Sequence, residues 1–258
     1  MIKKRIISRI DIKNEYVIKG IQLEGLRKVG YPNEMALKYY EEGIDEIIFM
    51  DAVASYYDRN NLSKIIDIAT NNIFVPITVG GGVRKISDIR TLLNIGADKV
   101  AINTAAVKNP FFLKEASKIY GSQCIVSSIE AKKMKNEKWC VYYDNGREAT
   151  NIDVIDWAKK VQKMGAGEIL ITSIDQEGTK KGFDYELNKS VAESVSIPVI
   201  SSGGASSASD IIKLFNDSEV EGVALASILH FNIFSIKTIK DNFKIPVLAY
   251  QVSGEYSL

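Results

Sequence analysis

Histidine is nearly missing from this chain of 258 residues: there is one, His230, beside only two cysteines, Cys124 and Cys140. One histidine cannot build a histidine-based metal cluster, and a serine–histidine–aspartate triad is an implausible main chemistry. The cysteines fall in different elements and outside any CxxC spacing, which argues against a disulfide framework or a zinc site and makes a reducing cytoplasm the expected compartment. Charge of one sign is also lacking. Thirty-three Lys and Arg face 32 Asp and Glu, a net charge of +1, so no basic footprint for nucleic acid and no acidic tail is present. No run approaches the roughly 18 apolar residues of a membrane span, and charges break the N-terminal apolar run too early for a signal peptide. A soluble cytoplasmic protein without metal or cofactor is expected.

The chain does have length and apolar content, 46% hydrophobic, enough for one large α/β core. Short β-rich runs at 5–12, 46–51, 75–80, 99–103, 124–130, 168–173, 198–202 and 222–226 alternate with amphipathic stretches at 33–42, 85–95, 110–120, 153–164 and 207–216. Eight strand–helix units in about 250 residues predict a closed (β/α)8 TIM barrel, with an open doubly wound sheet as the competitor. A repeat favours the barrel. Gly43 and Gly165, Glu46 and Glu168, Pro76 and Pro198, Gly81 and Gly203, and Gly82 and Gly204 share an offset of 122 residues. The spacing predicts an internal half-barrel duplication, with halves near 1–122 and 123–250 inside a single domain of 1–258.

Two glycine turns, Gly80-Gly81-Gly82 and Gly203-Gly204, end predicted strands just before helices. Glycine lets backbone N–H groups approach a ligand, and helix N-termini favour anions, although such turns often need glycine for conformation alone. Each is followed by a second anion-friendly loop, Asn103-Thr104 and Ala226-Ser227. Together they point to two phosphate sites on opposite sides of one mouth, hence to a bisphosphorylated small molecule. Asp11 and Glu130 occupy equivalent places near the ends of strands one and five. They could shuttle protons across a substrate, or cap loops and pair with Lys13 and Lys132. Arg5, Glu46, Lys99 and Glu168 all start strands and form a candidate neutral ring on the barrel floor, serving either as packing or as a gate. Lys19 is expected in a loop after strand one, closing over an anion or simply solvated. His230 is expected to be a partly exposed loop residue.

The stretches Lys4-Arg5-Ile6-Ile7, Asp11-Ile12-Lys13, Val17-Ile18-Lys19-Gly20, Thr78-Val79-Gly80-Gly81-Gly82-Val83-Arg84, Gly96-Ala97-Asp98-Lys99-Val100 and Gly165-Ala166-Gly167-Glu168 resemble, in order and over nearly the whole chain, the cyclase subunit of imidazole glycerol phosphate synthase (the HisF family). The resemblance implies a heterodimer with a glutaminase subunit, whose ammonia enters through the floor and reacts at the mouth with a bisphosphorylated nucleotide. It implies Arg5, Glu46, Lys99 and Glu168 as the gate, and Asp98 as a docking residue for the glutaminase. Gly82, Asn103 and Thr104 would form one phosphate site, and Gly178, Gly204, Ala226 and Ser227 the other. Asp11 would be the principal acid/base. Three positions depart from the family pattern: Glu130 stands where aspartate is expected, Arg9 where a small residue or cysteine is usual, and Glu177 where aspartate is common. With Gly20-Ile21-Gln22-Leu23-Glu24-Gly25-Leu26, they resemble a specialised branch associated with acetamidino modification of surface-polysaccharide sugars. There an ATP-using protein would activate the amide, and the barrel would deliver or add ammonia. The family's histidine-pathway cyclase and a non-catalytic ammonia conduit are the alternatives.

Overall fold

A computed structural model describes residues 4–52 and 62–243; positions 244–250, the end of the expected second half, lie outside them. Strand β1 (Arg5–Lys13) runs into an antiparallel hairpin of β2 (Tyr16–Ile21) and β3 (Glu24–Gly30). Then follow α1 (Pro32–Glu41), β4 (Glu46–Asp51), α2 (Leu62–Thr70), β5 (Ile77–Gly80), α3 (Ile86–Asn94), β6 (Lys99–Ile102), α4 (Thr104–Lys108) and α5 (Phe111–Tyr120). The second stretch begins with β7 (Ile125–Lys133) and an antiparallel extension, β8 (Trp139–Tyr143) and β9 (Glu148–Asp153). It continues with α6 (Val154–Lys163), β10 (Glu168–Ser173), α7 (Tyr185–Ser194), β11 (Val199–Ser202), α8 (Ala208–Asp217), β12 (Gly222–Leu225), α9 (Ser227–His230) and α10 (Ile236–Asp241).

Eight of these strands pair in parallel in the order β1, β4, β5, β6, β7, β10, β11, β12, and β12 returns to β1 with Arg5 opposite Gly222. The cylinder is closed. It is the expected (β/α)8 barrel, not an open sheet, with two flanking hairpins added. Side chains alternate along each strand, so Ile6, Ile10 and Ile12 of β1 pack outward against the helices. Ile7 points inward into a separate apolar layer with Ile48, Val126, Leu170, Ile200, Ala101 and Ala224. That layer separates a charged floor from a charged mouth.

Helix ends are fixed by side chains. Asp153 caps α6 by accepting from the Ile155 and Asp156 N–H groups at 2.8 and 3.2 Å, and Ser207 with Asp210 forms a capping box at α8. Lys240 of α10 is bound to buried Asp45 at 2.6 Å, and Asp45 also accepts the Ile6 N–H at 2.7 Å, tying the last described helix to the first strand. His230 is not the partly exposed loop residue expected of it: it ends α9 and is buried. Its Nδ1 shares a 2.8 Å hydrogen bond with the Tyr39 hydroxyl of α1. Burial, then the nearby Lys19 charge, push its pKa down to about 4, so it is neutral at neutral pH.

Candidate active site

Three charged side chains point into the mouth at the C-terminal ends of the strands, where barrels of this kind expose their loops. Arg9 and Asp11 lie two residues apart on β1 and share its inner face; Glu130 comes from β7, opposite them. The Arg9 Nε donates to Asp11 Oδ1 at 2.9 Å, and Nη1 donates to the hydroxyls of Thr172 at 2.9 Å and Ser202 at 3.2 Å. Lys19 Nζ lies 3.6 Å from Asp11 Oδ2 and is paired with Glu177 Oε1. The lysine is therefore neither in a loop nor solvated. It sits inside strand β2, 6% exposed, because the residues after β1 fold back as a hairpin instead of a loop.

Burial alone would raise the pKa of Asp11, but the Arg9 and Lys19 charges outweigh it and hold the carboxyl below its ordinary value. Glu130 behaves in the opposite way. Burial dominates and pushes it up to about 7, against the hydrogen bond that its Oε2 accepts from the Gly146 N–H at 2.7 Å and the attraction of Arg9. The sign of the consequence follows from linkage. A carboxyl whose pKa rises on folding favours the fold below its unfolded value, and that advantage is lost as pH climbs through the folded value. Taking the ordinary 4.5 and the folded value of about 7, ionising Glu130 costs about 3 kcal/mol at alkaline pH. Glu130→Gln, which can still accept from Gly146, is expected to be more stable than the parent by up to that amount at about pH 8. It should match the parent at about pH 4, where both side chains are neutral. Urea unfolding at the two pH values checks this; an equal difference at both would count against it.

The rim on one side of these groups encloses a cavity of about 390 Å³ that includes Gly82, Asn103 and Thr104. Gly81 and Gly82 have φ of 95° and 71°, and a Cβ on Gly81 would strike the Asp51 carbonyl, so glycine is required there for conformation as well as approach. Asn103 precedes α4 at φ −118°, ψ −82°, and its Oδ1 is buried with no hydrogen-bond partner. Thr104 Oγ1 donates to Asp144 Oδ1 at 3.1 Å and accepts the Asp144 N–H at 3.2 Å. On the other side, Gly178, Gly204, Ala226 and Ser227 line a recess of only about 20 Å³ together with Glu177. Gly178 and Gly204 have φ of 72° and 102°, and Ala226 precedes α9 at φ −128°, ψ −79°, close to the values at Asn103. The two sequence-derived phosphate clusters are thus each assembled, one beside a roomy cavity and one around a nearly filled recess.

At the floor the four expected charges meet. Arg5 donates to Glu46 at 2.7 Å and to Glu168 at 2.6 Å, while Lys99 reaches the remaining oxygens of Glu46 at 3.3 Å and Glu168 at 2.9 Å. Each carboxylate bridges both cations, and all four side chains are at most 19% exposed. Burial opposes the Arg5 charge, but Glu168 and Glu46 more than compensate and raise its pKa. Asp98 is exposed beside them, where its Oδ2 accepts the Ile77 N–H at 2.8 Å.

Sequence reading missed Arg84 and Lys108, two cations that line the larger cavity. It also missed the turn Asp144-Asn145-Gly146, which leans on Thr104 and Glu130. The turn had a signal: asparagine–glycine between β-rich runs is a strong hairpin mark, and the three residues adopt φ of 51°, 57° and 74°. Among the described residues, no cluster of three or more His, Cys, Asp or Glu is placed to hold a metal ion, and no helix is long and apolar enough to cross a membrane.

Comparison with known proteins agrees with this geometry. A family model described as "Histidine biosynthesis protein" matches residues 5–235. The imidazole glycerol phosphate synthase subunit HisF of Legionella pneumophila is 60% identical over 200 residues, covering 78% of this chain and 94% of that protein. The same subunit of Hydrogenobaculum sp. (strain Y04AAS1) is 47% identical over 95% of this chain and 97% of its own length, and that of Bacillus cereus (strain G9842) is 45% identical over 93% and 95%. With the fold, the two glycine clusters and the floor charges in place, the chain belongs to the histidine biosynthesis protein family, as a HisF-type barrel subunit.

Proposed function

We propose that this chain is the cyclase subunit of an imidazole glycerol phosphate synthase in histidine biosynthesis, taking ammonia from a glutaminase partner. The observation that carries the reading is the stacking of three layers along one axis: a neutral ionic floor, an apolar middle and a charged mouth between two glycine clusters. In this reading Arg5, Glu46, Lys99 and Glu168 admit ammonia, and Asp98 helps to seat the glutaminase on the floor. Gly82, Asn103 and Thr104 hold one phosphate of the nucleotide, with Arg84 and Lys108 adding charge. Gly178, Gly204, Ala226 and Ser227 hold the other. Lys19 and Glu177 sit at that second end, and Asp11 and Glu130 flank the reacting centre, where a positioned carboxyl can move protons between nitrogen and oxygen. Clefts at this end of a barrel are the usual ligand sites.

A second reading, ammonia delivery for acetamidino modification of a sugar with an ATP-using partner, rests on Arg9, Glu130 and Glu177 at the mouth and on the stretch from Gly20 to Leu26; none of the three relatives is named for such chemistry. One assay separates the readings. Supplied with the bisphosphorylated ribulosyl aminoimidazole nucleotide and ammonium salt, the chain is expected to yield imidazole glycerol phosphate. No product from a folded protein that still stimulates a glutaminase partner would reject the cyclase and favour a delivery role.

A further inference from the structure

The mouth's charges are not arranged as two equal carboxyls facing one ligand. Both oxygens of Asp11 are engaged by cations: Oδ1 accepts from Arg9 Nε at 2.9 Å, and Oδ2 faces Lys19 Nζ at 3.6 Å. Lys19 pairs in turn with Glu177. Arg9, Asp11, Lys19 and Glu177 thus form a line of alternating sign, every side chain at most 11% exposed. Glu130 stands outside that line. Its Oε2 accepts one backbone N–H, and its side chain borders the 390 Å³ cavity.

Arg9 makes the difference. Its guanidinium reaches from β1 past β12 to Ser202 of β11 and Thr172 of β10, so its aim is fixed by neutral hydroxyls as well as by Asp11. Without its charge, Asp11, Lys19 and Glu177 would carry a net −1, and Asp11 would keep only the longer of its two contacts. The groups facing Glu130 are Arg9 and Asp11 from β1, Asn103 just before α4, Thr172 from β10, Tyr142 from β8 and Asp144 from the adjoining turn. The only cation among them is Arg9, already committed to Asp11; Arg84 and Lys108 lie along the cavity wall.

We propose that Arg9 is a positioning residue that holds Asp11 as a permanent anion and leaves Glu130 as the group that exchanges a proton with a ligand in the cavity. The inference rests on the mouth being an ammonia-accepting site and assigns the proton traffic there. Ammonia forms a C–N bond to an electrophilic carbon of the ligand, and its nitrogen becomes positive. The Glu130 carboxylate takes one proton from that nitrogen. The same proton then leaves Glu130 for the departing oxygen or nitrogen, so the residue returns to its starting state with no net proton gained. Asp11 contributes negative charge and orientation throughout.

The test is a carboxyl-carbon NMR titration of the full chain labelled at Asp and Glu, with Glu130→Gln and Asp11→Asn used for assignment. One glutamate resonance is expected to titrate at about 7 and to vanish in Glu130→Gln, while the Asp11 resonance stays ionised below the ordinary range. In Arg9→Met the Asp11 resonance should move upward; in Arg9→Lys, which keeps the charge, it should move less. The lysine variant still decides the matter if the methionine variant does not fold. In turnover driven by ammonium salt, Glu130→Gln should lose about 10²–10⁴-fold and abolish the pH dependence near neutrality, and Asp11→Asn should keep that dependence at reduced rate. An Asp11 resonance that titrates beside Glu130 in the parent, or one indifferent to both Arg9 substitutions, overturns the proposal. Absence of turnover with the nucleotide would instead reject the cyclase reading, and the titration still decides the role of Arg9.

Discussion

Asp11→Ala is expected to destabilise the protein by about 3–5 kcal/mol, although it removes only a short side chain. The loss comes from what stays behind. Arg9 remains 4% exposed at its side chain, with hydroxyl partners at Thr172 and Ser202 but without the carboxylate it is salt-bridged to, only the weaker attraction of Glu177 and Glu130 remaining, and a buried charge that loses its partner is among the costliest defects a fold can carry. The control is the double variant Arg9→Met with Asp11→Ala, in which no charge is orphaned. Replacing both members of a buried pair by apolar groups is often neutral, so the double variant should be more stable than Asp11→Ala alone. Urea unfolding of the four proteins in a double-mutant cycle gives the coupling directly. If the two single losses simply add, the pair is not energetically coupled and the account of the mouth is wrong.

A comparable loss is expected at the other pole. Arg5→Met removes the 2.7 and 2.6 Å bonds to Glu46 and Glu168 and leaves two buried carboxylates sharing Lys99. The expected cost is again about 3–5 kcal/mol near neutral pH. The consequence for function is a split between two assays. With the glutaminase partner and glutamine as nitrogen source, product formation should collapse, whereas turnover from added ammonium salt, which reaches the mouth from solution, should survive in the folded fraction. Equal losses in both assays would remove the floor from the nitrogen route.

Most of the barrel is legible in the sequence, because strands covered on both faces write themselves as near-continuous apolar runs. Ile47-Ile48-Phe49-Met50 and Ile169-Leu170-Ile171 lie in β4 and β10. Errors gather where residue type does not reveal a dihedral angle. Asn103 and Ala226 read as strand ends, but the backbone turns there to start α4 and α9. The 122-residue offset falls on pairs with like conformation, Gly81 and Gly203 at φ 95° and 100°, and Gly43 and Gly165 at 85° and 95°, as a duplicated half-barrel would require. The β2–β3 hairpin carried almost no signal: its turn residues Gln22 and Leu23 sit at φ 51° and 64°, a region that bulky side chains seldom occupy. What holds them is tertiary. Gln22 donates from its backbone to the Glu177 carbonyl at 2.7 Å and from its side chain to the Asp175 carbonyl at 3.1 Å, contacts no local pattern can announce. His230 reads as a loop residue for the same reason, since the Tyr39 bond that accompanies its burial comes from a helix nearly two hundred residues away.

The two hairpins have a geometric outcome for whatever enters. They rise from β1 and β7, and the strand order puts β4, β5 and β6 between them on one side and β12, β11 and β10 on the other. The two glycine clusters therefore lie on the two arcs of the rim that the hairpins leave between them, one after β5 and β6 and the other after β10, β11 and β12. In the proposed function, a molecule held by both clusters would cross the mouth above Arg9 and Asp11, while a fragment with a single anion would be tethered at one end and free to swing.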